Sequence, residues 1–254
     1  MKIVAPSSAL APFVREMMIV DVREEVTHVR LPEPGLVLGV RYAGAASVLA
    51  GETATQLPDV SLAGMTGTAR RMRTAAGGGV VLARFQPGGA AAFFATPLHE
   101  LFGATLSLDA LVPATDVDRL RTQVSEAATE AARVAALDAF LVARLRPETD
   151  DVVAAAVRLL DDARGALPIR ALARHLAISQ DPLEKRFRRV VGASPKQFAS
   201  LLRLRRALES YRPGASLAAL ALDAGYYDQS HFNRELRAVT GEPPGRFLRA
   251  GVYR

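Results

Sequence analysis

Residues 221–237 read ALDAGYYDQSHFNRELR, and this stretch decides how the C-terminal half of the chain folds. The apolar run over residues 217–224 predicts a short helix, and Gly225 supplies the positive φ with which helices commonly end. Asp228 suits the N-cap of a second helix, because its carboxylate accepts hydrogen bonds from free backbone N–H groups. The stretch therefore predicts two helices that are joined by a tight turn.

The second predicted helix has an apolar face and a polar face. Phe232 and Leu236 lie four residues apart and point together into a core. The polar face carries side chains suited to base edges and phosphates, and we assign DNA contacts to Gln229, Ser230, His231, Asn233, Arg234 and Arg237. A helix that is anchored on one side and polar on the other is what a recognition helix in the major groove needs.

His231 has two further interpretations. It can pack against a neighbouring helix instead of contacting DNA. With Ser230 and Asp228 it also invites comparison with a catalytic triad. All three residues lie at one helix start, however, so a line of nucleophile, base and orienting acid is not geometrically available.

Segment 225–234, together with Gly241 and Pro244, resembles the signature of AraC/XylS-type transcription regulators. The family usually has Phe where this chain has Leu236, which is a conservative change in a core position. The resemblance implies an all-α C-terminal domain, in which a long helix joins two helix-turn-helix units. It also implies a cytoplasmic regulator that binds double-stranded DNA.

A first unit of the same kind is predicted upstream. Ser179 can cap a helix over residues 180–191, on which Leu183 and Phe187 point inward. The outward face carries our DNA-contact candidates of this unit, Glu184, Lys185 and Arg188. Asp181 is best explained by the favourable interaction of an acid with a helix N-terminus. For Glu184, that explanation and a hydrogen bond from cytosine N4 both stay open.

Residues 195–211 predict the long helix between the two units. About 15 residues at 1.5 Å each give a rod of roughly 22 Å. With the widths of the recognition helices added, this length fits two adjacent major grooves, about 34 Å apart. Upstream, Asp150 or Asp151 can cap a helix over residues 152–163, which Gly165 ends.

Charge is distributed unevenly along the chain. The whole sequence has a formal net charge of +6; residues 151–254 contain 18 Lys and Arg against 10 Asp and Glu, and residues 1–150 contain 14 against 16. The second half is therefore +8 and the first −2. A basic half is typical of polyanion binding, although an arginine-rich solvated surface has the same composition. The sequence has no cysteine and no long uncharged apolar run, which fits a cytoplasmic protein without membrane spans.

The first half predicts several short strands and then helices. Candidate strands cover residues 13–22, 36–42, 47–50, 60–63, 68–74 and 79–85, and the turn at residues 75–78 predicts a hairpin between the last two. This pattern favours a small β-barrel or sandwich. From residue 117 onward the apolar spacing becomes helical, and Thr115 or Asp116 can cap the start. Helices at this place either cover their own sheet or join two subunits.

Residues 6–10 and 84–90, with Leu101, resemble the N-terminal domain of one subset of the same regulators. That resemblance implies a cupin-like β-barrel. The overall expectation is an α+β chain with a barrel sensor or dimerisation domain over residues 1–147 and a DNA-binding domain over residues 150–254. The polar segment around residues 146–151 marks the boundary.

Cupin enzymes hold a metal with several histidines, whereas the first half contains only His28 and His99, far apart in sequence. We therefore expect no metal, no cofactor and no enzymatic activity. An enzyme fused to a DNA-binding domain and a ligand-free interaction module remain the alternatives. The expected partners are DNA, a small-molecule effector, a second copy of the chain and, for an activator, RNA polymerase.

Two other features of the first half carry alternatives. Arg71 and Arg73 share one face of a predicted strand and Arg70 lies opposite, which indicates a solvated face or an acidic ligand. Gly88 and Gly89 follow a predicted strand and open a short helix. The pair indicates a tight turn or backbone N–H groups close to a ligand, but it is not a dinucleotide fingerprint.

Overall fold

The computed structural model describes residues 1–146 and 149–250. Pro147 and Glu148, at the predicted domain boundary, lie outside the described residues. The strands, in chain order, are β1 Lys2–Val4, β2 Val14–Val22, β3 Val26–Arg30, β4 Val37–Ala43, β5 Ala46–Ala50, β6 Thr53–Gln56, β7 Val60–Ala63, β8 Arg70–Thr74, β9 Gly78–Phe85 and β10 Thr105–Ser107. Short 3-10 helices cover Gly89–Ala92, Leu98–Leu101 and Leu108–Ala110.

The α-helices begin after the strands. They are α1 Ala114–Glu126, α2 Glu130–Val142, α3 Asp151–Asp162, α4 Ile169–His175, α5 Gln180–Val191, α6 Pro195–Ser210, α7 Leu217–Asp223, α8 Gln229–Thr240 and α9 Pro244–Ala250. The chain therefore has the expected β-rich first half and helical second half. No helix within residues 1–146 or 149–250 has the length and apolarity that crossing a membrane would need.

The strands form two antiparallel sheets. The large sheet has the order β1-β2-β9-β4-β7-β10, and the small sheet has the order β3-β8-β5-β6. The expected closed barrel is therefore wrong for the described strands. Short strands that alternate apolar and polar residues fit a barrel and a pair of sheets equally well, so the pattern could not distinguish them.

The predicted hairpin between residues 68–74 and 79–85 is also wrong. Strand β8 pairs with β3 and β5 in the small sheet, whereas β9 pairs with β2 and β4 in the large sheet. The turn instead carries the chain from one sheet to the other. Its Ala75 N–H donates to the Ala45 carbonyl, so the turn is held against the β4–β5 connection.

Helices α1 and α2 cover the large sheet of their own chain. Leu120, Val124, Leu137 and Leu141 are fully buried in the same cluster as Val81 of β9. Helix α1 starts after Pro113 without a side-chain cap, so the predicted capping by Thr115 or Asp116 is wrong. Proline at the preceding position fixes an extended backbone that leads into the helix without it.

Buried apolar side chains form two clusters that meet within α6. The first contains the large sheet, α1 to α5 and the N-terminal part of α6, including Phe198 and Leu201. The second contains the rest of α6, including Leu204 and Leu208, with α7, α8 and α9. The first helix-turn-helix unit thus shares its core with the N-terminal half, whereas the second unit has its own.

The structure shows where the arginine cluster of β8 and the Gly88–Gly89 pair lie. Arg71 and Arg73 are exposed on one face of β8, and Arg70 is half-buried on the other, as the alternation predicted. Gly89 lies so close to the Phe13 carbonyl that a Cβ would overlap it, and a Cβ on Gly88 would lie 3.3 Å from Val190. The glycine pair therefore allows close packing, which favours the tight-turn interpretation.

Gly165 provides a test of the packing between α3 and α6. Its φ is +75°, and a Cβ there would overlap the Ala199 carbonyl oxygen. Gly214 also has a positive φ, +85°, but nothing lies within 4 Å of its Cβ position. We expect Gly214→Ala to lower the free energy of unfolding by about 1–2 kcal/mol, from backbone strain alone. Gly165→Ala should cost about 1–3 kcal/mol more, because overlap adds to strain.

Urea unfolding of both variants measures this difference. Equal costs would mean that α6 moves away without penalty, and that the contact between Gly165 and Ala199 does not fix the position of α3.

Candidate nucleic-acid interface

Helix α8 begins and ends as its sequence predicted. The Asp228 carboxylate accepts a hydrogen bond from the His231 backbone N–H at 2.6 Å, which caps the first turn. Gly225 ends the preceding helix region with φ +87°, and Gly241 ends α8 with φ +76°. Phe232 and Leu236 are fully buried, so one side of the helix is anchored in the second core.

The opposite side of α8 faces solvent. Four of the predicted contact residues are exposed there: Gln229, Ser230, Arg234 and Arg237. Two of them come from the first turn, next to the cap, and the arginines follow one and two turns later. An exposed polar stripe that starts at a capped N-terminus has the form of a helix that enters a groove with its N-terminal residues.

His231 and Asn233 lie differently, because both are half-buried. The His231 ring packs edge-on against Tyr226 with centroids 5.2 Å apart, and its Nε2 lies 3.9 Å from Glu235 Oε2. Asn233 Oδ1 is buried without a hydrogen-bond partner among the described residues. The geometry of His231 fits the packing interpretation, and DNA contact by either residue stays a prediction.

A polar network fixes α8 relative to the first unit. Tyr226 Oη donates to Glu235 Oε1 at 3.0 Å, and Arg203 of α6 lies 3.9 Å from Glu235 Oε2. Burial, with the charge of Glu235 added, raises the pKa of Tyr226, so the hydroxyl stays a proton donor. Arg203 also donates to the Gly165 carbonyl at 2.6 Å. This arginine therefore links the two helix-turn-helix units across α6.

Helix α5 repeats the two-sided arrangement in the first unit. Leu183 and Phe187 are fully buried, and the Phe187 ring packs on Phe198 of α6 at 5.6 Å. The predicted contact residues Glu184, Lys185 and Arg188 are all exposed on the other side. Ser179 occupies the N-cap position, although its side chain makes no capping hydrogen bond.

Two ion pairs organise the charges around α5. Arg188 lies 3.4 Å from Glu184, one turn apart on the outward face. Arg186 instead turns to Asp150 and donates two hydrogen bonds, at 2.8 and 2.7 Å. Burial alone would raise the pKa of Asp150, but the hydrogen bonds from Arg186 and from Val153 N–H lower it. Arg186 thus holds the start of α3, and Arg188 remains at the surface.

Tyr227 is a surface residue of the site that sequence reasoning missed. Its side chain is 88 % exposed, whereas the neighbouring Tyr226 is buried. It lies immediately before the Asp228 cap of α8, beside the predicted contact face. The available signal was the pair of adjacent tyrosines in a tight turn, since only one of two such neighbours can point into the core.

The C-terminal ends of α5 and α8 contact the N-terminal half. At the end of α5, a Cβ on Gly192 would lie 3.2 Å from the Leu98 carbonyl oxygen. Near the end of α8, the Val239 carbonyl accepts a hydrogen bond from Ala69 N–H at 2.8 Å. The sheet half therefore supports both helices from behind, opposite their exposed N-terminal turns.

The two histidines of the first half lie in different elements. His28 lies in β3 and His99 in a 3-10 helix. Within residues 1–146 and 149–250, no three His, Asp or Glu side chains are grouped so that they could hold a metal ion.

Two family models match the chain. A helix-turn-helix domain matches residues 172–250, which include α5, α6, α7 and α8, and a domain of unknown function (DUF6597) matches residues 2–107. A Streptomyces lividans protein described as an AraC-like transcription regulator is 35 % identical over 101 residues, which are 39 % of this chain. The chain spans about a third of the length of that relative, 33 %.

Solved structures to which this chain is similar include ToxT from Vibrio cholerae. One ToxT structure has a TM-score of 0.47 at 12 % identity, with 91 % of this chain and 97 % of ToxT covered. An AraC family transcriptional regulator from Rhodopseudomonas palustris is 29 % identical, with a TM-score of 0.34 over 40 % of this chain and 97 % of that one.

The cap of α8 can be tested by two substitutions of Asp228. Asp228→Ala removes the acceptor for the first-turn N–H groups and should lower the free energy of unfolding by about 1 kcal/mol. Asp228→Asn keeps an acceptor oxygen and should cost much less. Thermal unfolding measures both, and equal losses would show that the charge of Asp228, not its capping hydrogen bond, stabilises α8.

Proposed function

We propose that this chain, which belongs to the AraC/XylS-type transcription regulators, binds one asymmetric duplex DNA site through its two helix-turn-helix units. The observation that carries the proposal is the shared arrangement of α5 and α8. Each helix is anchored by buried apolar side chains and presents an exposed polar stripe from its first turn. Two different stripes on one chain read two different half-sites, so the site has no internal symmetry.

The length of α6 supports the spacing of those half-sites. Its 16 residues form a rod of about 24 Å, at 1.5 Å per residue. Helix α5 packs on Phe198 near its start, and α8 contacts Arg203 farther along. The widths of the two helices bring the span close to one turn of DNA, about 34 Å. Arg203 restrains the position of α8 relative to the first unit, because it contacts both units.

The contact residues divide into two roles. Gln229, Ser230 and Arg234 contact base edges in the second half-site in this proposal, together with Asn233. Glu184, Lys185 and Arg188 serve the first half-site. Arg237, in the last turn of α8, and Tyr227, just before its cap, are both exposed. They suit phosphate and sugar contacts, which position a protein without reading sequence. His231 packs against Tyr226, and its contact with DNA stays a prediction.

The N-terminal half acts as a cupin-like sensor domain in this proposal. Its residues support α5 and α8 from behind, at Leu98 and at Ala69. A small molecule that changes this support would change how the two units are presented to DNA. Dimerisation through α1 and α2 is the other route by which this half would control DNA binding.

Selection of genomic fragments by the full-length protein tests the proposal. At about 0.15 M salt non-specific contacts are weakened, so a sequence-specific regulator should enrich one short asymmetric motif. The selection is repeated with a metabolite extract, which should change recovery if the N-terminal half senses a small molecule. Failure to enrich any motif in both conditions would leave only loose, charge-driven DNA binding.

Arg234→Ala tests base reading by α8. If Arg234 is bidentate to a guanine, its loss should cost about 1–3 kcal/mol of binding free energy and relax one position of the motif. Arg71→Ala removes an exposed arginine from the N-terminal half and should leave the motif unchanged. Equal weakening on every sequence would instead identify Arg234 as a phosphate contact.

Glu184→Ala tests the acid in the first unit. A carboxylate repels phosphates, so its removal should tighten binding to all sequences, and loss of a cytosine contact should also relax one position. Asp181→Ala is the matched control, because it removes an acid from the same turn without losing a base contact. Binding assays on a set of single-base variants compare the two. Identical behaviour would mean that Glu184, like Asp181, serves the helix N-terminus.

A further inference from the structure

Two arginines lie directly opposite each other in the small sheet. Arg30 of β3 is the antiparallel register partner of Arg70 in β8, so their side chains leave the same face. Both are half-buried. Like charges directly across two strands destabilise a sheet, and burial increases that cost. The structure therefore holds a repulsive pair in a place where water cannot fully screen it.

This face of the small sheet turns toward the large sheet. Arg70 donates to Thr105 Oγ1 of β10 at 2.7 Å and also to the Gly103 carbonyl. The Arg30 guanidinium lies close enough to Arg84 of β9 to lower its pKa further, after burial. Arg30 and Arg70 thus lie on the face of the small sheet that turns toward the large sheet.

Arg30 has no counter-charge on this face of the small sheet. Within residues 1–146 and 149–250 its guanidinium makes no hydrogen bond and no ion pair within 4.0 Å. Burial, with the charge of Arg70 added, lowers the pKa of Arg30 to about 10, so the group still carries its proton at neutral pH. Arg70 has only neutral oxygen partners. A desolvated cation without an anion is costly, and proteins usually pair it.

The nearby acids are already shared by other arginines. Glu33 is 7 % exposed and pairs with Arg84, with Arg15 at 3.2 Å and with Arg205 at 3.1 Å. Glu16 pairs with Arg84 at 2.8 Å, and Glu209 lies 3.7 Å from Arg205. Three acids therefore face three arginines here, and the charges of Arg30 and Arg70 remain in excess.

We propose that Arg30, with Arg70 beside it, binds the carboxylate or phosphate group of a small anionic molecule between the two sheets. The inference rests on the sensor role proposed for the N-terminal half and names the chemical class of its ligand. Guanidinium groups suit this task, because each presents several N–H donors in a fixed fork that matches a planar or tetrahedral oxyanion. Thr105 and Gly103 hold Arg70 in place for it.

The position of the site explains how an anion would reach the DNA-binding half. Arg84 lies near Arg30 on one side and pairs with Glu33 on the other. Glu33 in turn pairs with Arg205 of α6, across 172 residues of sequence. An anion beside Arg30 competes with Glu33 for Arg84, and so changes the ion pair through which the first half contacts α6.

Thermal unfolding of the full chain tests the site with two probes, inorganic phosphate and acetate, each exchanged for chloride at constant ionic strength. A ligand that binds only the native state at ten times its Kd should raise Tm by about 3–6 °C. The larger rise identifies phosphate or carboxylate as the preferred group. No rise with either probe would overturn the proposal.

Variants assign the rise to Arg30. Arg30→Gln and Arg30→Met should abolish it, and in chloride both should unfold at or above the Tm of the unchanged protein, because a repulsive buried charge is gone. Arg71→Gln, on the exposed face of β8, should keep the full rise. A rise that survives both Arg30 substitutions, or that disappears in Arg71→Gln, would overturn the assignment.

Recovery of a DNA motif by the same proteins separates this inference from the proposed function. A chain that selects one motif but shows no anion-dependent rise has DNA binding without the anion site. A chain with an Arg30-dependent rise but no motif has the anion site, and then the DNA-binding proposal fails instead.

Discussion

Helix α6 is the element on which the arrangement of this molecule depends. Its first turns bury Phe198 and Leu201 in the core of the N-terminal half and the first helix-turn-helix unit. Its later turns bury Leu204 and Leu208 in the core of the second unit. A single rod thus belongs to two cores, and the side chains that fill them fix both its rotation and its position. The spacing of α5 and α8 follows from that constraint.

Polar contacts further restrict the orientation of α6 relative to its neighbours. Arg203 joins the Gly165 carbonyl to Glu235 of α8, and Arg205 reaches Glu33 in the sheet half. Buried charges contribute little net stability, but the loss of one partner is costly, about 3–5 kcal/mol, because the other is left unpaired. Such pairs favour one relative placement over nearby ones. They suit a helix whose orientation sets how the exposed polar faces of α5 and α8 are presented.

Local sequence signals predicted the helices of the second half well. The strand pairing of the first half could not be predicted in the same way, because it depends on residues far apart in sequence. Asp228 as a cap, Gly225 at a helix end and the bounds of α5 all depend on neighbours within a few residues, so the sequence contains the relevant information. The pairing of β8 with β3 and β5 depends on distant strands, and the turn residues that precede β9 suit a hairpin equally well. The ion pair of Glu33 could not be predicted from the sequence, because its partner Arg205 lies 172 residues away. Tyr227 is exposed and Tyr226 is buried, and residue type alone could not predict that difference.

The division of the cores also decides which part of the molecule is free to respond. The first unit cannot move against the sheet half without breaking a continuous apolar core that includes Leu183, Phe187 and Leu98. The second unit meets the sheet half through fewer links: the Ala69–Val239 hydrogen bond, the Glu33–Arg205 pair and partly buried contacts from β3. A charged group that leaves one partner can pair with another, whereas a packed core cannot shift without opening cavities. A signal in the N-terminal half would therefore act on the second unit, and the first would remain the fixed reference from which the second is displaced.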